Sequence, residues 1–162
     1  MMNTYFKKIS GIFLMLLSFN IPAFADNNNM SSCSNHTLQG TYMFNVSGDL
    51  FISEEKGYVP EAYAALVSYD GNGNLILKKT SSTNGVWTTQ ITQATYQIQS
   101  DCSGLAVYPT AKYQYFVAPN GENLTFVKVS NYDGEKFVES PDKISGSVMR
   151  VSKHQIKFIE SD

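Results

Sequence analysis

Leu38-Gln39-Gly40-Thr41-Tyr42-Met43-Phe44-Asn45-Val46 is the stretch on which the fold turns. Tyr42, Phe44 and Val46 alternate with Thr41, Met43 and Asn45, so an extended backbone sends the three bulky apolar side chains to one face. Working outward, Tyr63, Ala65, Val67 and Tyr69 repeat the same period of two. Strand character returns at Leu75 to Lys79, Val86 to Thr92, Ala94 to Gln99 and Leu105 to Tyr108, then at Tyr113 to Ala118, Leu124 to Val129 and Ile144 to Val151. The count is about nine strands, and no helical period persists beyond residue 25.

Between these runs lie Asp70-Gly71-Asn72-Gly73, Thr83-Asn84-Gly85, Asp101-Cys102-Ser103-Gly104 and Pro119-Asn120-Gly121. Asn-Gly and Asp-Gly supply the positive-φ residues of tight hairpins. Short hairpins in series predict an all-β, antiparallel up-and-down barrel of about 8–9 strands, because closure removes the exposed edges of such a meander. A two-sheet β-sandwich is the alternative, and it requires longer crossovers. Two connections read as long, Ser47 to Glu61 and Ser130 to Lys143; the first is expected to cross the barrel mouth.

The ends set the domain limits. Lys7-Lys8, an apolar run from Ile9 to Phe19 and the closing Ala23-Phe24-Ala25 follow the order of a secretory signal peptide over 1–25, too short to span a bilayer. Residues 26–37 then form a polar lead-in, 38–151 the barrel and 152–162 a C-terminal extension. Removal of Lys7 and Lys8 takes the 12 basic side chains to 10 against 14 acidic ones, a net charge of −4. That balance argues against a nucleic-acid partner and against electrostatic attachment to an anionic membrane, and the expected location is exported, periplasmic or secreted. Cys33 and Cys102 are the only cysteines. In an oxidising compartment they are expected to form a disulfide, with a chain-entropy contribution of about 4 kcal/mol.

Gly40 and Tyr42 open the first strand where lipocalin and calycin barrels carry Gly-x-Trp, and Arg150 lies on the last expected strand, where that group packs an arginine over the first-strand aromatic. A second likeness covers Cys33 to Val151: Cys33, Leu38 to Tyr42, Asp70 to Asn74, Tyr96-Gln97-Ile98, Asp101 to Gly104 and Ser145 to Arg150. It resembles small exported bacterial β-barrels of unsettled function, similar in outline to allene-oxide-cyclase-like barrels. The likeness implies the barrel and the disulfide, and it carries no catalytic residue across.

Chemistry-bearing patterns are sparse. Asp70 to Asn74 matches the first five positions of a calcium loop, yet Leu75 stands where glycine is needed and Ser81 where a bidentate glutamate is needed. No metal and no cofactor is therefore expected. Beyond the leader the only histidines are His36 and His154, both in polar terminal segments, so no nucleophile has an evident base. Glu54, Glu55 and Glu61 read as solvated loop charges.

The remaining signal is aromatic: nine tyrosines, six phenylalanines and Trp87 follow the leader. Trp87, Ile91, Tyr96 and Ile98, with Tyr113 and Tyr115 opposite, would line a cavity if all faced inward, whereas packing alone also favours tyrosine in strands. The expected function is non-catalytic binding of a small apolar or amphipathic ligand at Trp87, Tyr96, Tyr113 and Tyr115. The alternatives are an interaction module for another exported protein, built on a filled core, and a cyclase- or isomerase-like enzyme of the kind the resemblance suggests.

Overall fold

The computed structural model describes residues 32–158, so the expected leader and its cleavage point lie outside the described residues. A 3₁₀ turn at Asn35–Thr37 precedes β1 (Gln39–Ser53), β2 (Gly57–Asp70), β3 (Asn74–Thr83), β4 (Val86–Ile98) and β5 (Ser103–Val107). β6 (Ala111–Val117), β7 (Asn123–Tyr132), β8 (Phe137–Glu139) and β9 (Lys143–Ser152) follow. The strands pair in the order β6-β5-β4-β3-β2-β1-β9-β7-β8, and a further β6–β7 ladder closes the ring. This is the antiparallel up-and-down barrel that the alternation predicts: eight strands in the wall, with β8 an extra strand on β7. Closure rules out the sandwich.

Register explains why the core is continuous. Tyr42 lies opposite Val67, Val67 opposite Leu77, and Phe44 opposite Val148, so one buried layer runs around the wall. Burial of each large side chain contributes about 1.5–3 kcal/mol. The hairpins use the predicted turn chemistry. Asn84 and Gly85 adopt φ of 48° and 82°, the two positive values of a type I′ turn. Asp70 accepts from the backbone N–H of Asn72 (2.7 Å) and Asn74 (2.9 Å), so its carboxylate is used within the hairpin.

Both long connections are corrected. Ser47 to Glu61 is not a loop over the mouth: β1 runs to Ser53, β2 starts at Gly57, and Phe51 still pairs with Tyr58. Polar residues here are compatible with strand because this hairpin is half-buried to exposed along its length, although Leu50 still packs against the core. Within Ser130 to Lys143, β7 extends to Tyr132 and β8 folds back on it. The wall is therefore uneven, with 15 and 14 residues in β1 and β2 but 5 in β5.

The opposite end is sealed. Cys33 and Cys102 are disulfide-bonded, with Cα atoms 5.0 Å apart. Tyr96 Oη donates to the Leu38 carbonyl (2.9 Å), and Asn35 Oδ1 accepts from the Ile98 N–H (2.8 Å). Arg150 lies over the Tyr42 ring at 5.3 Å and donates to Tyr42 Oη (3.0 Å), Glu122 (2.9 Å) and the Thr37 carbonyl (3.2 Å). The arginine thus ties the last strand to the first and to the lead-in, and the Tyr42 hydroxyl in turn donates to the Gly121 carbonyl (2.7 Å).

Residues beyond Ser152 add no strand among those described. They turn across the outside of β1, where buried Thr41 donates to the His154 carbonyl (2.6 Å) and accepts from the Ile156 N–H (3.1 Å). Thr41 faces outward, and this strap covers it.

Candidate functional site: a filled barrel mouth and an outer groove

Two concavities compete for function. The first is the inside of the barrel at its open end, where Tyr63, Lys79, Gln90, Tyr113 and Tyr115 surround a void of about 60 Å³. Four phenols, with Phe44 and Phe126, crowd around it. Tyr69 Oη donates to Tyr115 Oη at 3.2 Å, and the Tyr108 and Tyr115 hydroxyls lie 3.4 Å apart. Tyr113 packs edge-on against Tyr108 and Phe126, with centroids 5.3 and 5.5 Å away. Burial pushes the Tyr63, Tyr108 and Tyr115 phenols well above their ordinary value and takes Tyr113 up to about 12, so all four are neutral hydroxyls at physiological pH.

Lys79 is the charged residue in the lining of this void. Its ammonium sits 5.1 Å from the centroid of the Tyr63 ring. Loss of surrounding water lowers its pKa; Glu61 works against that and Lys128 adds to it. Tyr63 and Tyr113 with Lys79 could hold a group of a few atoms. A void of about 60 Å³ falls well short of the roughly 300–1,000 Å³ that small-molecule sites occupy.

The second concavity is a groove of about 900 Å³ on the outside of β3, β4 and β5, beneath the strap. Ile76, Val107 and Phe158 supply apolar surface, Tyr132 and Phe137 close one end, and Asp70, Asn74 and Gln93 supply polar contacts. Tyr132 and Phe137 pack with their centroids 5.4 Å apart, and Lys112 lies 4.2 Å over the Phe137 ring. Ser68, Ile76, Gln93, Thr95 and Val107, from the outer faces of β2 to β5, line the groove on one side, and Gln155 to Phe158 of the strap border it on the other.

The four residues singled out by sequence separate. Tyr113 and Tyr115 do border the barrel void. Tyr96 lies at the sealed end, its hydroxyl committed to Leu38 and Asn35. Trp87 does not face inward: it is 72% exposed near the β3–β4 hairpin tip. Residues 87 and 91 share one parity on β4 while Tyr96 and Ile98 have the other, and the uninterrupted register with β3 sends the odd positions outward. Sequence reasoning passed over Lys79, although it is in phase with buried Leu75 and Leu77. It placed Phe158 in the C-terminal extension without a binding role and passed over Ile156, for which only the alternation past the last strand gave a signal.

Among the described residues no group of three or more His, Cys, Asp or Glu side chains is placed to hold a metal ion, and no helix is long and apolar enough to cross a membrane. His36 and His154 are both exposed. The sequence matches no family model and no curated protein.

Proposed function

We propose that this protein is an exported, periplasmic or secreted, binding module that takes a small amphipathic molecule on the outside of its barrel, beneath the C-terminal strap. The observation that carries this reading is the contrast in space: about 60 Å³ inside against about 900 Å³ in the groove. Aromatic side chains at Tyr132, Phe137 and Phe158 offer stacking area, and Asn74 and Gln93 offer amide donors and acceptors. The disulfide fits an oxidising compartment. The likeness to calycin and allene-oxide-cyclase-like barrels supports the scaffold, and the proposed site differs from a barrel-cavity site.

Thermal melting of residues 26–162 against fatty acids, sterols and aromatic metabolites tests the proposal. A ligand at 100 times its dissociation constant adds about 2.7 kcal/mol of stability. The shift should vanish in Phe158→Asp and persist in Tyr113→Phe. A panel that shifts nothing, or a shift that Tyr113→Phe abolishes while Phe158→Asp retains it, contradicts the proposal.

A second reading, recognition of another exported protein, is favoured by a row of exposed side chains. Leu66, Met43 and Met149 are register partners across β2, β1 and β9, and they are 36%, 48% and 51% exposed. Flexible methionines suit adaptable protein contacts. Met43→Asp would abolish such binding and leave small-molecule binding intact.

A further inference from the structure

β4 is long where its neighbour β5 is short. β3 pairs with all of Val86–Thr95, but β5 pairs only with Thr95–Ile98. The Thr83–Val86 two-residue hairpin and the Gln99 to Ser103 hydrogen bond (2.8 Å) fix the alternation. Even-numbered residues of β4 direct their N–H and C=O to β3, and odd-numbered ones direct theirs to the other side. Trp87, Thr89, Ile91 and Gln93 therefore present their backbone groups to an open edge, where no described residue bonds them.

This edge has none of the usual guards. Val86 to Ala94 contains no charged residue, no proline and no glycine, and its register with β3 has no bulge. β8, which ends the sheet, shows the contrast: it is 3 residues long, ends on Glu139 and is flanked by Glu135, Lys136 and Pro141. Short length, charge and proline are how proteins discourage edge pairing, and β4 has only the neutral, β-prone composition that invites it.

We propose that the β4 edge is a self-association site at which a second copy of this chain adds its own β4 antiparallel, about a two-fold axis at Thr89. The segment is complementary to itself in that register. Trp87 faces the partner copy's Ile91 on the outer face, and Thr88 faces Gln90 on the inner one, so apolar meets apolar and neutral polar meets neutral polar. With no charge on either strand, pairing identical segments brings no like charges together. The odd residues 87, 89 and 91 supply about six backbone hydrogen bonds. Trp87, 72% exposed, gains a packing partner. The proposal rests on the edge alone and does not depend on the groove ligand.

Sedimentation velocity of oxidised residues 26–162, from low micromolar to several hundred micromolar, tests it. Thr89→Pro removes an N–H that points only to the open edge, and so spares the β3 ladder; Ile91→Lys puts a charge where the copies meet. The wild type should dimerise as concentration rises, and each variant should weaken the dimer at least tenfold with an unchanged far-ultraviolet spectrum. Phe116→Lys, on the outer face of β6, should leave the dimer intact. A wild type that stays monomeric, a dimer that survives both β4 variants, or one that Phe116→Lys abolishes overturns the proposal. A monomer that instead captures an extended peptide overturns it too.

Discussion

Asp142 is the residue whose removal should do the most damage for its size. It precedes β9 and its side chain is fully covered. It accepts from Lys128 Nζ (2.5 Å), the Asn131 amide (3.0 Å) and the backbone N–H of Phe51 (2.8 Å). One carboxylate thus ties the upper end of β1 to β7 and to the entry of β9. Asp142→Ala leaves the Lys128 ammonium, whose side chain is 10% exposed, without its counter-charge, and removing one partner of a buried pair costs about 3–5 kcal/mol. Against a total stability of roughly 5–15 kcal/mol, that is a large fraction. Asp142→Asn keeps the shape and loses the charge, with an expected cost of about 1–3 kcal/mol. Adding Lys128→Met to Asp142→Ala should restore part of the loss.

The same residue sets an acid limit. Burial by itself raises the Asp142 pKa, but the hydrogen bonds from Lys128, Asn131 and Phe51 outweigh it and hold the carboxyl below its ordinary value. The folded state therefore binds this proton less readily than the unfolded chain. The stabilisation is present above the unfolded value of about 3.9 and is lost as pH falls through the folded one. Urea melts followed by circular dichroism between neutral pH and pH 3 should show the wild type losing stability faster than Asp142→Ala. Equal pH slopes, or an Asp142→Ala cost under about 1 kcal/mol, the level of an exposed pair, would refute the reasoning.

Three further outcomes follow from the same structure. Removing the disulfide with the Cys33→Ser, Cys102→Ser pair, whose cysteines are 69 residues apart, should lower stability by about 4 kcal/mol in a urea melt. Seven tyrosines, 42, 63, 69, 96, 108, 113 and 115, have phenol pKa values raised chiefly by burial. The stability they contribute is complete below about pH 10 and declines as pH rises above it, so absorbance titration should show most phenols ionising together with unfolding. Trp87 should emit as a solvated indole and be quenched by acrylamide in the folded protein; a blue-shifted, protected emission at micromolar concentration would place it inside.

The barrel was legible because its cause is local. Tyr42, Phe44 and Val46 carry the period of two, and Asn84-Gly85 and Asp70-Gly71 carry the turns, so strand number and closure follow from short-range pattern. The face of β4 was not legible in the same way. Val86 to Ile98 is one continuous strand that sequence splits at Gln93, and the two halves then take independent phases, which put Trp87 inside. The polar residues of Ser47 to Glu61 read as loop because pattern alone does not distinguish a half-exposed hairpin at the rim of a core from an irregular connection. The groove was hidden for a different reason: it needs Ile156 and Phe158 to return across a sheet through one hydrogen-bonded threonine, Thr41, and that is a contact between the two ends of the chain.

The most direct test of the account is a chemical-shift map of the disulfide-bonded protein, titrated with the panel compound that raises its melting temperature most. A ligand in the outer groove should make perturbations gather at Ile76, Gln93, Val107, Ile156 and Phe158 and leave Tyr63, Leu77, Tyr113 and Tyr115 in place. Perturbations centred on those barrel residues, with the strap unmoved, would contradict it.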